Sequence, residues 1–307
     1  MDFTSILNLG QNTLELGLTY SLVVLALFLS YSMLNVCDLS TDGGFTFGAT
    51  VGAVVAMSGH PYLSVPAAMC AGVLSGFIVA FLQTRMGINS LLAGIIVNTA
   101  MYSVNMAVMG NKAQLNLNRS DTVFTKMKDL LANTPFAGQY KLITVLTFTV
   151  AAVILLSLFL RTRLGLAIRA TGDNPDMVKS SSINPAFTIT VGLCVANALT
   201  ALSGCLFVQA QKSVDINIGS GMVTIALASL LIGGTFLGRG SIPLRAVGCV
   251  LGSVIFRLVY TLALRLKMPA SMLKLVSSVI VIIAIFVPYL KAQYPTLRRR
   301  LLRKKSM

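Results

Sequence analysis

Nine apolar stretches dominate this 307-residue chain, at roughly 14 to 35, 44 to 60, 62 to 83, 88 to 109, 140 to 160, 185 to 209, 219 to 238, 242 to 264 and 271 to 290. About 20 apolar residues in a helix cover the hydrocarbon core of a bilayer. Inside lipid every backbone N–H and C=O needs an internal partner, which a helix supplies within one segment. The expectation is an all-α, polytopic transmembrane bundle of about nine membrane helices. A mean hydropathy of +0.82 and a charged fraction of only 11% exclude an ordinary soluble domain. The boundary between the second and third stretches is the weakest, since only Gly59-His60-Pro61 divides them.

The formal charge of +15 does not mark a nucleic-acid binder, because 7 of the 24 basic residues fall between Lys291 and Lys305, beyond the last apolar stretch. Residues 291–307 read as a basic cytoplasmic tail beside anionic lipid, and residues 1–290 as a single transmembrane domain. The basic residues, those of the tail included, favour an external N-terminus and a cytoplasmic C-terminus. No Lys or Arg precedes Arg85, so the first stretch lacks the positive flank of a cleavable signal and is expected to remain as a helix. Cys37, Cys70, Cys194, Cys205 and Cys249 have no metal-like spacing and read as small apolar residues, and His60 reads as a turn residue.

The most organised polar segment runs from Arg161 to Asn184. Arg163 to Thr171 favours a short helix, Gly172 suits a left-handed residue ending it, and Asn174-Pro175 offers an N-cap and first-turn proline for a second helix. Asp176 and Lys179 then complement the dipole of that second helix, and Asn184-Pro185 opens the next apolar run in the same way. On pattern alone, a docking element and an amphipathic loop resting on lipid headgroups both fit.

Thr162, Leu164-Gly165, Ile168-Arg169-Ala170-Thr171-Gly172-Asp173-Asn174-Pro175 and Ser182-Ile183 resemble the cytoplasmic coupling segment in permease subunits of ATP-binding-cassette importers of the ribose and branched-chain amino acid type. Ser182 stands where that family usually has glycine. Leu230 to Ser241, with its Gly233-Gly234 and Gly238-Arg239-Gly240, resembles a second, glycine-rich signature of the same family. Within the family the chain looks closest to permeases of the aromatic amino acid or uncharacterised groups. The resemblance implies a bacterial inner-membrane permease, a homodimer with a second copy, two cytoplasmic ATPase subunits and an extracytoplasmic solute-binding protein. It also implies that Arg163, Gly165, Arg169, Ala170, Gly172, Asp173, Asn174 and Pro175 form the ATPase contact. No G-x-x-x-x-G-K-[ST] sequence occurs, so no cofactor is expected on this chain and ATP is expected on the partner subunit.

Candidates for the solute path are Asp38, Ser40, Asn98, Tyr102, Asn105 and Arg257. Asp38-Leu39-Ser40 resembles the family's helix break near the path, although Thr41-Asp42-Gly43-Gly44 departs from it; the other reading is a short cytoplasmic turn with Thr41 or Asp42 capping the next helix. Asn98, Tyr102 and Asn105 fall at i, i+4 and i+7 on one helical face, which either faces water or bonds a neighbouring helix. Arg257 lies well inside an apolar run, where a charge costs about 2.5–3.5 kcal/mol, so pairing with an acid such as Asp38, contact with a solute carboxylate, or snorkelling is expected. The polar stretch from Gly110 to Gln139 is either a binding-protein contact or a formless loop. The chain therefore reads as the permease of an importer for a small polar solute, an amino acid among the options. The alternative is an ion-coupled secondary transporter using Asp38 and Asp42.

Overall fold

The computed structural model describes residues 3–132, 137–238 and 240–265, together with 272, 275, 277–283 and 286. Helix α1 (Phe3–Leu27) continues into a six-residue π-helix, Phe28–Met33. The chain then forms α2 (Thr41–Met57), α3 (Pro61–Thr84), α4 (Ser90–Val108), the short α5 (Val123–Leu131) and α6 (Tyr140–Phe159). Next come α7 (Arg163–Asp173), α8 (Pro175–Ser180), α9 (Pro185–Gln211), α10 (Met222–Leu237) and α11 (Ile242–Arg265). One small antiparallel ladder interrupts the helical order: β1 (Gln114–Asn116) pairs with β2 (Ser213–Asp215), with Leu115 opposite Val214.

Six of the described helices are long and apolar enough to cross a membrane, so the expected nine crossings are not reached among the described residues. Two of the expected crossings, α2 and α10, have only 17 and 16 residues. Both begin inside the protein, and at about 24–26 Å each falls short of the roughly 30 Å hydrocarbon core by less than hydropathy alone resolves. The ninth stretch, 271 to 290, falls largely outside the described residues, and the tail 291–307 wholly so.

Burial sorts the helices. The first crossing is 83% buried and α9 is 78% buried, against 28% for α4 and for α11, so α1 and α9 are central and the others wrap them. The central packing depends on small residues. A Cβ on Gly48 of α2 would sit 2.2 Å from the carbonyl oxygen of Ala201, and one on Gly72 of α3 would sit 2.4 Å from that of Asn197, so α2 and α3 both meet α9 backbone to backbone. In lipid, where apolar surfaces gain nothing by leaving the tails, close backbone approach is what binds helices. The outer helices turn Leu74, Phe77, Leu92, Leu155 and Leu262 outward, each exposed and each suited to hydrocarbon.

Replacing Gly48 by Val forces two backbones apart and should cost about 1–3 kcal/mol, read as a lower unfolding temperature of the purified protein in detergent. Gly10→Val, where nothing lies within 4 Å, should leave that temperature unchanged.

Candidate functional site

The polar segment folds largely as its caps dictate. Thr162 Oγ1 accepts from the Gly165 amide at 3.2 Å and starts α7. Asn174 Oδ1 accepts from the amides of Asp176 and Met177, each at 3.1 Å, and starts α8. Asn184 does the same for α9 through the Ala186 amide at 3.0 Å. Ile168 and Thr171 bury one side of α7, and the Thr171 and Thr188 hydroxyls meet at 2.8 Å, tying α7 to α9.

Gly172 is not the left-handed terminator expected from sequence. It lies within the helix, and a Cβ there would sit 2.2 Å from the carbonyl oxygen of Met33 and 2.9 Å from the Leu34 Cα. Its small size is needed for contact with the end of the first crossing. Gly165 plays the same part against the end of α6, where a Cβ would meet the Phe159 carbonyl oxygen at 2.3 Å. The left-handed residue is Ser182, at φ +60°. On the other side Arg163, Asp173, Asn174 and Pro175 are exposed, Arg169 and Ala170 half-buried, and Leu164, Leu166 and Met177 open to solvent. The segment is a basic and apolar platform whose back is locked to the bundle.

Residues 34–40 form a non-helical break between the first crossing and α2. Asp38 is 3% exposed, so it does not belong to a surface turn. Its Oδ1 accepts from the Ser40 amide at 2.8 Å and the Ser40 hydroxyl at 2.6 Å, and its Oδ2 accepts from Asn197 Nδ2 at 2.8 Å. A buried carboxylate persists when its lone pairs are taken up in this way. Asp38 and Ser40 therefore hold the break and join it to α9.

Asp42 does not cap α2, as one reading expected. Its two oxygens accept from the amides of Gly221 at 2.9 Å and Val223 at 2.8 Å, placing a negative charge on the N-terminus of α10. Beside it opens a cavity of about 380 Å³ walled by α2, α4 and the chain from Ile216 to Ser220. Asn98, Tyr102 and Asn105 all line it, so the i, i+4, i+7 face does border open space. Asn105 is 1% exposed, and its Oδ1 has no hydrogen-bond partner. Thr46 of α2 also lines the cavity, as do Asn217 and Ser220, which lie in 213–221, a stretch with no helical period to reveal a face.

Arg257 belongs elsewhere. Its guanidinium lies 5.3 Å from the ring centre of Tyr20 and 4.8 Å from that of Tyr260, a cation–π clamp between α1 and α11 in place of a pairing with Asp38 or a place at this cavity. The 110–139 stretch is not formless, since it carries β1 and α5. Gln209 Oε1 of α9 accepts from the Val123 amide at 2.8 Å, and Lys126 pairs with Asp121 at 2.7 Å. That hydrogen bond from Lys126 to Asp121 holds the ammonium above its usual pKa.

Residues 11–285 match the model of a family described as branched-chain amino acid transport system / permease component. The tyrosine transport system permease protein of Clostridioides difficile (strain R20291) is 31% identical over 268 residues, covering 87% of this chain and 86% of that protein. A nucleoside ABC transporter permease protein of Lactococcus lactis subsp. cremoris (strain MG1363) is 25% identical, covering 66% of this chain and 64% of its own. The ribose import permease protein of Escherichia coli (strain K12) is 26% identical, covering 68% and 63%. No solved structure matches.

Asp42→Ala should leave the Gly221 and Val223 amides without their acceptor and cost about 1–3 kcal/mol. Hydrogen exchange followed by mass spectrometry should show faster exchange at residues 221–225 than in the unaltered protein, with α7 unaffected.

Proposed function

The chain belongs to the branched-chain amino acid transport system / permease component family, and on that premise we propose that it is the membrane subunit of an ATP-driven importer for a small polar solute, an amino acid. Two copies span the inner membrane of a bacterium. A solute-binding protein delivers solute at the outer face, where α5 and the β1–β2 ladder stand, and a cytoplasmic ATPase that carries the ATP seats on α7 and α8.

The observation that carries this reading is the two-sided construction of α7. Its exposed side offers Leu164, Leu166 and Arg163 for a partner, while Gly165 and Gly172 press its other side onto α6 and the end of the first crossing. A push on α7 reaches the break at 34–40, passes through Asp38 to Asn197 of α9, and through Asp42 to α10 beside the polar cavity. Hydrolysis moves solute only if the ATPase binds α7 differently in its nucleotide states, since equal affinity shifts no equilibrium. The amino acid reading draws on the similarity to a tyrosine transport permease and on the amide and hydroxyl groups of the cavity. Ion coupling gains no support from Asp38 and Asp42, whose carboxylates already accept internal hydrogen bonds.

Co-purification of the tagged chain with an ATP-binding-cassette ATPase, followed by uptake in vesicles, tests the reading. Leu166→Asp should weaken ATPase binding by at least about tenfold, as expected for a central apolar contact. Gly172→Val should keep ATPase bound but abolish solute stimulation of hydrolysis. Uptake in vesicles lacking any ATPase would overturn the importer reading.

A further inference from the structure

A second cavity, of about 280 Å³, opens where the π-helix, α10 and α11 meet. Its size is near the lower end of the roughly 300–1,000 Å³ typical of small-molecule pockets. The walls are mostly apolar and aromatic, with Phe28 and Tyr31 from the π-helix and Leu231 from α10, and among the described residues the cation in them is Arg245. The guanidinium is held in place: Nη2 donates to Ser32 Oγ at 2.8 Å, and its carbon lies 5.3 Å from the centre of the Phe28 ring. Ser32 takes one of five N–H donors. Among the described residues no carboxylate lies within ion-pair distance of Arg245. An oriented guanidinium in an apolar recess, with donors to spare, is the chemistry that selects a carboxylate or phosphate carried on an apolar body.

Position supplies the rest. Ser220, just before α10, lines the polar cavity beside Asp42, while Leu231, Thr235 and Gly238, at i, i+4 and i+7 toward its other end, line this one. Along α10 the nearest lining residues of the two, Ser220 and Leu230, stand about 15 Å apart. This second cavity adjoins the contact of Gly172 with Met33, the last residue of the π-helix that forms its wall. π-helical turns are rare and are frequently found at functional sites. Here the π-helix places Phe28, Tyr31 and Ser32 around the cation.

We propose that this cavity is an inner way station for the transported solute, in which Arg245 takes the solute's carboxylate and Phe28, Tyr31 and Leu231 take an apolar side chain. The solute is then an α-amino acid with an apolar or aromatic body, and nucleosides and ribose, which carry no anion, are excluded. This rests on the importer reading and narrows it. Displacement of α7 acts on the π-helix and so on Ser32, the hydroxyl that orients the guanidinium, which couples release of the carboxylate to the ATPase cycle.

The test uses the permease with its ATPase in nanodiscs of phosphatidylcholine, with radiolabelled L-tyrosine and L-leucine compared with tyramine and isoamylamine, their decarboxylated forms. At least one of the acids should bind saturably and both amines should not. Arg245→Gln should lower the affinity at least about tenfold, the loss of a charge-assisted hydrogen bond. Ser32→Ala, which keeps the charge and frees its orientation, should lower it about threefold. The proposal is overturned if the amines bind as well as the acids, if neither acid binds, or if Arg245→Gln binds like the unaltered chain. It is also overturned if added phosphatidylglycerol occupies the site and excludes tyrosine and leucine, which would make it a lipid headgroup site. Failure of the ATPase to associate with the unaltered chain would sink the importer reading itself. Association with unimpaired uptake by Arg245→Gln would sink this inference alone.

Discussion

A helix break buried in a membrane protein must satisfy its own backbone, because no water is there to do so. In this chain that demand falls on the buried part of residues 34–40, where Asp38 takes the Ser40 amide and the Leu29 and Ser30 carbonyls take those of Leu34 and Val36. One carboxylate closes a turn on Ser40 and reaches Asn197, so the irregular segment is fastened to the most enclosed part of the bundle. The surrounding architecture follows from that need. Helix α9 must be central to offer Asn197, and α2 and α3 must lie against it closely enough to shut out lipid, which Gly48 and Gly72 permit. Gly94 of α4 closes another side, where a Cβ would stand 2.7 Å from the Leu39 amide nitrogen.

The same break is the meeting point of membrane and platform. Gly172 brings α7 onto the Met33 carbonyl at one end of it, and α2 departs from the other with Asp42 fixed on the first amides of α10. Two short helices thus start within the protein, and the N-terminus of α10 is satisfied by the Asp42 carboxylate of α2. Around them lie the two cavities. A polar one borders Asn98, Tyr102 and Asn105, and a mostly apolar one holds Arg245. Breaks of this kind concentrate polar groups where a solute has to pass, at the cost of requiring every group not facing the solute to be paired.

What could be read in the sequence were the features set by neighbours along the chain. Asn174 and Asn184 cap their helices because capping is a contact over two or three residues, and the Asn98–Tyr102–Asn105 face follows from helical periodicity alone. The coupling motif also sufficed for the family. Gly172 was legible as a required glycine but not for its reason, since its partner Met33 is remote in sequence. The same holds for Arg257, whose cost in lipid is visible but whose aromatic partner Tyr20 lies on another helix. At 17 and 16 residues, α2 and α10 look like full crossings to hydropathy, and the wall from Ile216 to Ser220 has no period to betray it.

The central claim is that α7 and the break move as one body against the cavity wall. Spin labels at Asn35, Asp173 and Asn217, all exposed positions, in a cysteine-free background of the reconstituted complex, measure this directly by pulsed dipolar spectroscopy with and without ATP. The account predicts an unchanged Asn35–Asp173 distance in both states and a shifted Asn35–Asn217 distance. A change confined to Asn35–Asp173, with Asn35–Asn217 fixed, would contradict it, because α7 would then slide over the break without moving the path.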